Sequence, residues 1–273
     1  MVEKELGEVI SRMSPSRIDV AQRCLALFKY RYVVPDDLKH PSGWKRAFGA
    51  AMDTAANGVY TSKFESHVTP DAEDAAAQFA AAWDAESETV EDWSGTSKSD
   101  KLDSGVQGVK QWRENIALYC QPKQLPQLHV QKDVIDEKDN TTWTLHGYVD
   151  LVCDMPGHQD VVTDLKTSGR KYSGSAIQVN TQPAAYTYIT GTSTFSYHVV
   201  TSTKVPKVQV LTAGVDASTK SLFIKRAEMI RRQIRNAYMT GDWLPNRQHM
   251  LCSKTYCEQW HRCQGEFGGE VKP

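Results

Sequence analysis

Hydrophobic spacing divides the chain into a helical first part, a strand-rich middle and a late helix. Residues 14–32 open on Ser14, which is suited to cap a helix, and run amphipathically from there. Residues 43–56 predict a second helix and the alanine-rich stretch 71–85 a third. In residues 104–119, Val106, Val109, Trp112, Ile116 and Leu118 fall mostly on one helical side. Residues 86–105 are polar and predict an exposed loop or insertion. The period then shortens to that of strands. Residues 127–135 are expected to form the first strand of a sheet, and 142–152 and 160–166 two more, joined by a turn at Pro156-Gly157. Residues 175–188 predict a helix in which Pro183 either kinks the axis or marks a first turn. Residues 195–202 and 208–212 are two later strands. Residues 217–240 form a long helix with Phe223, Ala227, Ile230, Ile234 and Ala237 facing a core, and Gly241 as its stop. Its other faces carry Lys225, Arg226, Arg231, Arg232 and Arg235, a phosphate-facing or simply solvated set.

Composition narrows the class. At 273 residues, with 40% hydrophobic and 24% charged positions, the chain has the profile of a soluble globular protein. No run approaches the roughly 20 apolar residues of a membrane span, so no membrane partner is expected. The net charge of −1 rules out binding by overall charge. Acidic residues gather in 70–92 and basic ones in 220–235, so any nucleic-acid contact rests on local patches. Lys204-Val-Pro-Lys207 reads equally as a basic loop near a site or a solvated hairpin. No internal repeat is present.

The densest chemistry lies at the predicted hairpin. Gly147-Tyr-Val-Asp150 is followed, after thirteen residues, by Asp164-Leu-Lys166. Residues two apart on a strand share a face, so Asp164 and Lys166 do, and the hairpin can bring Asp150 beside them. Two carboxylates collect a hard divalent cation, and a lysine can stabilise developing negative charge or orient a water. An ordinary exposed hairpin would also carry such residues. Downstream, Gln178, Gln182 and Tyr186 follow at four-residue steps along one predicted helical face.

Taken in order, Gly147/Asp150, Asp164/Lys166 and Gln182/Tyr186 resemble the PD-(D/E)xK nucleases of the RecB and exonuclease V type. The resemblance implies that Gln182 and Tyr186 lie beside a metal site and contact DNA, with Tyr186 offering a stacking surface. It extends to the first helix, with its lone Cys24, and to the second, where Gly49 matches the glycine of the family's G-x-x-x-H pattern. Asp53 stands where the family has its histidine, and it reads either as a metal-site carboxylate or as a solvated helix residue. The resemblance implies that Asp150, Asp164 and the carbonyl of Leu165, joined by Asp53 on the first of those readings, hold Mg²⁺ or Mn²⁺, with Lys166 at the water and the phosphate.

The chain has six cysteines. With no apolar signal segment at its start, it is expected in a reducing cytosol, and a phage or viral origin is compatible. Cys252, Cys257 and Cys263 then read as metal ligands rather than disulfide partners. In the similar nucleases an N-terminal cysteine joins such a trio around a [4Fe–4S] cluster, which makes Cys24 the implied fourth ligand. A structural zinc is the alternative, with His261 a substitute ligand. Cys120 and Cys153 sit in apolar surroundings and are expected to be packed free thiols.

The resulting expectation is an α+β, restriction-endonuclease-like core: a mixed central sheet of about four to five strands flanked by helices. One nuclease domain is expected over 1–273, with a mainly helical region at 1–120, a core at 121–240 and a cysteine-stapled tail at 241–273. The implied activity is metal-dependent hydrolysis of DNA, working from single-stranded ends, in recombination, repair or viral genome processing. A recombination or replication protein is the compatible partner. The alternatives are a nuclease-derived DNA-binding or assembly subunit, permitted by Asp53, and a zinc-stapled structural protein.

Overall fold

The computed structural model describes residues 4–34, 42–254 and 256–268. The outermost positions of the expected helical region and tail, 1–3 and 269–273, lie outside them. The chain divides into two compact units. A terminal unit takes in Met1–His40, Gln131–Gly147 and Lys220–Pro273, and a central unit takes in Pro41–Val130 and Tyr148–Thr219.

The chain begins with α1 (Leu6–Ile10), β1 (Arg12–Met13), α2 (Pro15–Arg23), α3 (Leu25–Phe28) and a π-helical turn over Lys29–Val33. Ser14 caps α2, accepting a hydrogen bond from Arg17 N at 3.3 Å. The single helix expected over 14–32 is interrupted at Cys24, whose backbone is extended at φ −166° and ψ 119°. The cause is a polar one that apolar spacing does not register. The Cys24 Sγ accepts from Leu27 N at 3.5 Å and so caps a new helix.

The central unit opens with β2 (Ser42–Gly43), α4 (Trp44–Glu65), α5 (Ala72–Ser87), β3 (Val90–Asp92), α6 (Lys98–Asn115), a 3₁₀ turn at Ala117–Tyr119 and β4 (Gln121–Pro122). α4 buries Ala47, Phe48, Ala51, Met52, Ala55 and Val59 at three- and four-residue steps and continues past its expected end. Asp71 and Asp74 form the reciprocal cap that starts α5. The predicted loop at 86–105 is corrected. α6 starts inside it at Lys98, because Ser97 accepts from Asp100 N at 3.1 Å. Two glycines then let α6 pack closely. A Cβ at Gly105 would stand 1.9 Å from the Phe79 ring, and one at Gly108 2.9 Å from Val200. Trp83 and Trp112 are fully buried in this core, and truncating either to alanine is expected to cost about 3–5 kcal/mol.

The strand-rich stretch comprises β5 (Leu128–Asp136), β6 (Thr141–Val149), β7 (Leu151–Met155) and β8 (His158–Ser168). It is followed by α7 (Ala176–Val179), α8 (Thr181–Thr190), β9 (Thr194–Thr201) and β10 (Val208–Gly214). Five strands form a mixed sheet in the order β10-β9-β8-β7-β4. β8 and β9 are parallel and the other pairs antiparallel. The parallel step requires a crossover, which α7 and α8 supply. The expected first strand, β5, lies instead in a three-stranded sheet of order β1-β6-β5. The strand predicted over 142–152 is split at Asp150, and the ladder partners change there.

The late helix α9 (Ala217–Thr240) has the expected bounds and buries its predicted stripe. Gly241, at φ 80°, ends it. The expectation of an outward basic helix is corrected. Arg231 is 2% exposed, donates to Ile10 O at 3.0 Å and lies over the Trp143 ring. Arg232 donates to both oxygens of buried Asp136, at 3.0 and 2.7 Å, and Arg235 pairs with Asp139 at 2.9 Å. A buried carboxylate must be paired, so these arginines serve the fold. Lys225 and Arg226 stay exposed. The tail carries α10 (Trp260–Phe267). No helix among the described residues is long and apolar enough to cross a membrane. The architecture is a mixed α+β fold with a restriction-endonuclease-like core.

Candidate active site

Strand register builds the site in the central unit. Leu151 pairs with Thr163 across the β7/β8 hairpin. This leaves Asp150, one residue earlier, beside the next rung, where its Oδ2 accepts the Leu165 N–H at 2.8 Å. Asp164 and Lys166 share a strand face, and Lys166 Nζ stands 2.6 Å from Asp164 Oδ2. That contact is an ion pair by distance, but the oxygen accepts no well-directed hydrogen bond and remains buried. Asp53 arrives from α4. The helix can approach because Gly49 lacks a side chain: a Cβ there would lie 3.3 Å from Thr167 Oγ1 on β8.

Electrostatics shows how tightly these groups are held. Burial raises Asp53 to about 7, helped by the charges of Asp150 and Asp164 and opposed by Lys166. Burial also raises Asp164 to about 7, with Lys166 opposing and Asp150 adding to the rise. Asp150 is raised by burial against the Leu165 N–H, Lys166 and Gln127, all of which stabilise its charge. Burial pulls Lys166 down, but Asp164 and Asp150 outweigh it and leave the ammonium firmly protonated. Three carboxylates thus crowd around one lysine, a set short of positive charge.

The oxygen-only donor set, with the orphaned Asp164 Oδ2, fits a hard divalent ion. Among the described residues, no three His, Cys, Asp or Glu close into a ligand set as they stand. Asp164 is turned to Lys166 and Asp150 to the Leu165 N–H. Asp53, Asp150 and Leu165 line a cavity of about 10 Å³, the room of roughly one water-sized sphere.

The predicted helix over 175–188 is corrected. It breaks at Asn180 (ψ 151°), so Gln178 sits exposed on α7, apart from Gln182 and Tyr186 on α8. Pro183 lies in the first turn of α8, where its missing N–H costs nothing. Tyr186 is raised to about 12 by burial and by Asp164, with Gln182 hydrogen-bonded to it. At 7% exposure its ring has no open face for stacking.

Three site residues carried no motif. Gln127, at φ 58°, holds Asp150 twice: its N–H donates to Asp150 O at 3.1 Å and its Nε2 to Oδ1 at 3.1 Å. His198 lines the same cavity, and burial pushes it down to about 4; its Nε2 has no partner among the described residues. Tyr197 is paired in register with Asp164, and its hydroxyl is pushed up by burial and by that carboxylate. The available signal was a lone histidine within the apolar run 195–200.

The thiols of the terminal unit form a second constellation. Burial raises Cys252, Cys257 and Cys263, the last to about 11, and each also senses the charge of Cys24. The four sequence-predicted thiols are therefore electrostatic neighbours, although they too form no closed ligand set. Cys24 Sγ also accepts from Asn246 N at 3.4 Å. Polar bonds hold the tail to the N-terminal segment. Glu266 takes Lys29 at 2.7 Å and the Tyr30 hydroxyl at 2.8 Å, Glu258 pairs with Arg31, and Arg262 donates to Val34 O at 3.1 Å. Cys120 and Cys153 are buried and free, as expected.

Comparison with known proteins gives a family. The model of the PD-(D/E)XK nuclease superfamily matches residues 12–264. No curated protein sequence matches the chain. Among solved structures, a protein from Eubacterium rectale named as a candidate exonuclease is 15% identical, with a TM-score of 0.48 over 96% of this chain and 90% of that one. The protein solved as SSO0001 is 11% identical, with a TM-score of 0.37 over 90% of this chain and 94% of that one. Neither score is high enough to carry an argument. The family match spans nearly the whole chain, Asp150 and Asp164 included, so the chain belongs to the PD-(D/E)XK nuclease superfamily.

Proposed function

We propose that the chain is a metal-dependent deoxyribonuclease working from single-stranded DNA ends. The observation that carries this reading is the convergence of Asp53, Asp150, Asp164 and Lys166 in one buried, cation-poor place. Asp150, Asp164, the Leu165 carbonyl and Asp53 would hold Mg²⁺ or Mn²⁺. When bound, that ion supplies charge neutralisation at the phosphate and a more acidic water. Lys166 contributes a fixed positive charge where the phosphate gains negative charge. Gln127 and the Leu165 N–H orient Asp150 and favour its charged form against the burial that raises it. Gln182 and Tyr186 border the reacting phosphate.

The four thiols would carry a structural [4Fe–4S] cluster, with zinc as the alternative. Their mutual proximity and the N–H donors on Cys24 support this. Such a centre belongs in a reducing, intracellular setting, cellular or phage-encoded. The whole chain would then work as one nuclease domain, with its tail held by the cluster, alongside a recombination or replication partner.

The test is digestion of end-labelled linear and closed circular single-stranded DNA with Mg²⁺ or Mn²⁺. Linear strands should be degraded progressively and circles should resist. Equal rates would indicate an endonuclease, and an unchanged rate in EDTA would overturn the metal mechanism. The second reading, a nuclease-derived DNA-binding subunit, draws on Asp53 at the family's histidine position. It predicts DNA binding with no turnover in either metal.

A further inference from the structure

Beyond the catalytic strand lies a second built feature of the central unit. β8 leaves Lys166, ends at Ser168 and passes into a loop bearing Arg170 and Lys171. That loop forms one wall of a 580 Å³ groove. The β9–β10 connection forms the other, with Thr201, Thr203, Lys204 and Lys207. The described residues lining it include four cations and no carboxylate.

Both walls are fixed by hydrogen bonds. Arg170 N donates to Ser168 Oγ at 3.3 Å. The Gln209 side chain grips Tyr172 at both backbone groups, accepting from its N at 2.9 Å and donating to its O at 3.2 Å. Opposite, Thr201 N donates to Lys207 O at 2.9 Å and Lys207 N to Thr201 Oγ1 at 2.8 Å. The cations therefore stand on ordered backbone, so less freedom is lost when an anion binds.

The groove is joined to the site by an aromatic step. Tyr172 closes the basic loop, and its ring lies 5.3 Å from that of Tyr197, at 73°. Tyr197 in turn is the register partner of Asp164. Tyr172 is half-buried, unlike Tyr186. Gly169 lies three residues beyond Lys166, roughly 10 Å along an extended strand. A basic groove whose wall runs on into a half-buried aromatic, itself packed on the register partner of Asp164, offers a single nucleic-acid strand phosphate contact and base stacking.

We propose that Tyr172 and the groove between Arg170-Lys171 and Lys204–Lys207 form a track for the single DNA strand flanking the scissile phosphate. The track deepens the nuclease reading and rests on it for its role. Its binding, however, can be measured without cleavage.

The test uses Lys204→Ala/Lys207→Ala and, on the other wall, Arg170→Ala/Lys171→Ala. Binding of fluorescently labelled oligo-dT is followed by anisotropy in EDTA over a range of NaCl. Each double variant should bind about 10-fold more weakly at low salt, and its log K against log[salt] slope should be shallower by about 1.4, two contacts at about 0.7 each. Tyr172→Leu should weaken binding about fivefold without changing the slope. Turnover of the p-nitrophenyl ester of thymidine monophosphate with Mn²⁺ should be unaffected by the lysine variants, since that substrate is too short to reach the groove. An unchanged slope in both double variants overturns the track, as does an equal loss for duplex and single strand. Loss of ester turnover alone would instead place the lysines in the catalytic centre and also overturn it. Absence of ester turnover in the wild type counts against the nuclease reading and leaves the binding result standing.

Discussion

The carboxylate site and the thiol cluster are both sets of four side chains, but they are assembled in opposite ways. Asp150, Asp164 and Lys166 come from one hairpin, and a single register places them: Leu151 opposite Thr163. Only Asp53 is brought from a distance, by a helix whose Gly49 permits close approach. The thiols come from residues 24 and 252–263, with no shared ladder, and depend on ion pairs and hydrogen bonds between the chain's two end segments. The first site should therefore keep its shape when its charges are altered, because backbone hydrogen bonds hold it. Under the proposed metal centre the second should lose its shape when one thiol goes, because the ligands would themselves be part of what holds it.

The sharpest way to break this contrast is Asp164→Asn. Turnover of linear DNA should fall by a factor of about 10³ or more, the scale expected when a group acting in the transition state is lost. The melting temperature in EDTA should stay equal or rise, since three carboxylates crowd one lysine and the loss of one relieves their repulsion while Asp150 still faces Lys166. A large fall in stability would show that the carboxylates hold the hairpin together. Cys24→Ala is the converse. It would open the proposed clasp spanning nearly the whole chain, so the metal-loaded protein should lose about 2 kcal/mol or more. Metal analysis belongs with that measurement. Iron and acid-labile sulfide in equal amounts are expected from anaerobic wild-type preparations, and zinc without sulfide would select the alternative centre.

Lys166→Ala tests the division of labour inside the first site. The ammonium is held by Asp164 and Asp150, so its removal should lower kcat by about 10²–10³ while DNA affinity in EDTA changes less than about threefold. A comparable loss in affinity would make the lysine a binding group.

How much of this was legible beforehand follows the same contrast. The hairpin carboxylates could be read from sequence, because strand alternation and one turn determine their relation. The α9 core stripe was also legible, since its period is that of the helix itself. The outward role given to Arg231, Arg232 and Arg235 was not, because their partners Asp136 and Asp139 lie nearly a hundred positions away. The break at Cys24 and the start of α6 at Lys98 were set by a thiol and a serine bonding to backbone. A hydrophobic pattern does not record such caps. Gln127 and His198 belong to no motif and enter the site only through tertiary contact.

The unusual protonation of the carboxylates gives a pH test. Asp53 and Asp164 ionise near 3.8 when exposed but near 7 in the fold. Folding raises their affinity for protons, so the stability linked to them is complete below about pH 4 and is lost as pH rises through about 7. In EDTA the melting temperature should therefore drop measurably between about pH 5.5 and 8. Asp53→Asn should flatten the drop. No comparable slope is expected from Cys263 in this window, since burial pushes it up to about 11. A drop that persists in Asp53→Asn/Asp164→Asn would assign it to other groups.

The smallest effect concerns Gln127, which sharpens the claim that backbone dominates the first site. Asp150 has two fixed donors: the Leu165 N–H at 2.8 Å on Oδ2 and the Gln127 Nε2 at 3.1 Å on Oδ1. The first belongs to the strand and cannot be mutated away. The second is a side chain on a residue with φ 58°, a conformation that costs a non-glycine residue energy and persists only where contacts enforce it. If backbone register sets the geometry, Gln127→Ala leaves Asp150 nearly in place but raises its pKa, because one stabilising hydrogen bond is gone. Turnover near pH 8 should then fall only about threefold to 10-fold, and the loss should grow as pH is lowered, since more of the Asp150 carboxyl is protonated. Gln127→Gly relieves the backbone strain as well, so it should be more stable than Gln127→Ala at equal activity. A pH-independent loss as large as that of Asp164→Asn would mean that Gln127, and not the Leu165 N–H, positions the carboxylate. The register argument would then fail at the one residue where it can be isolated.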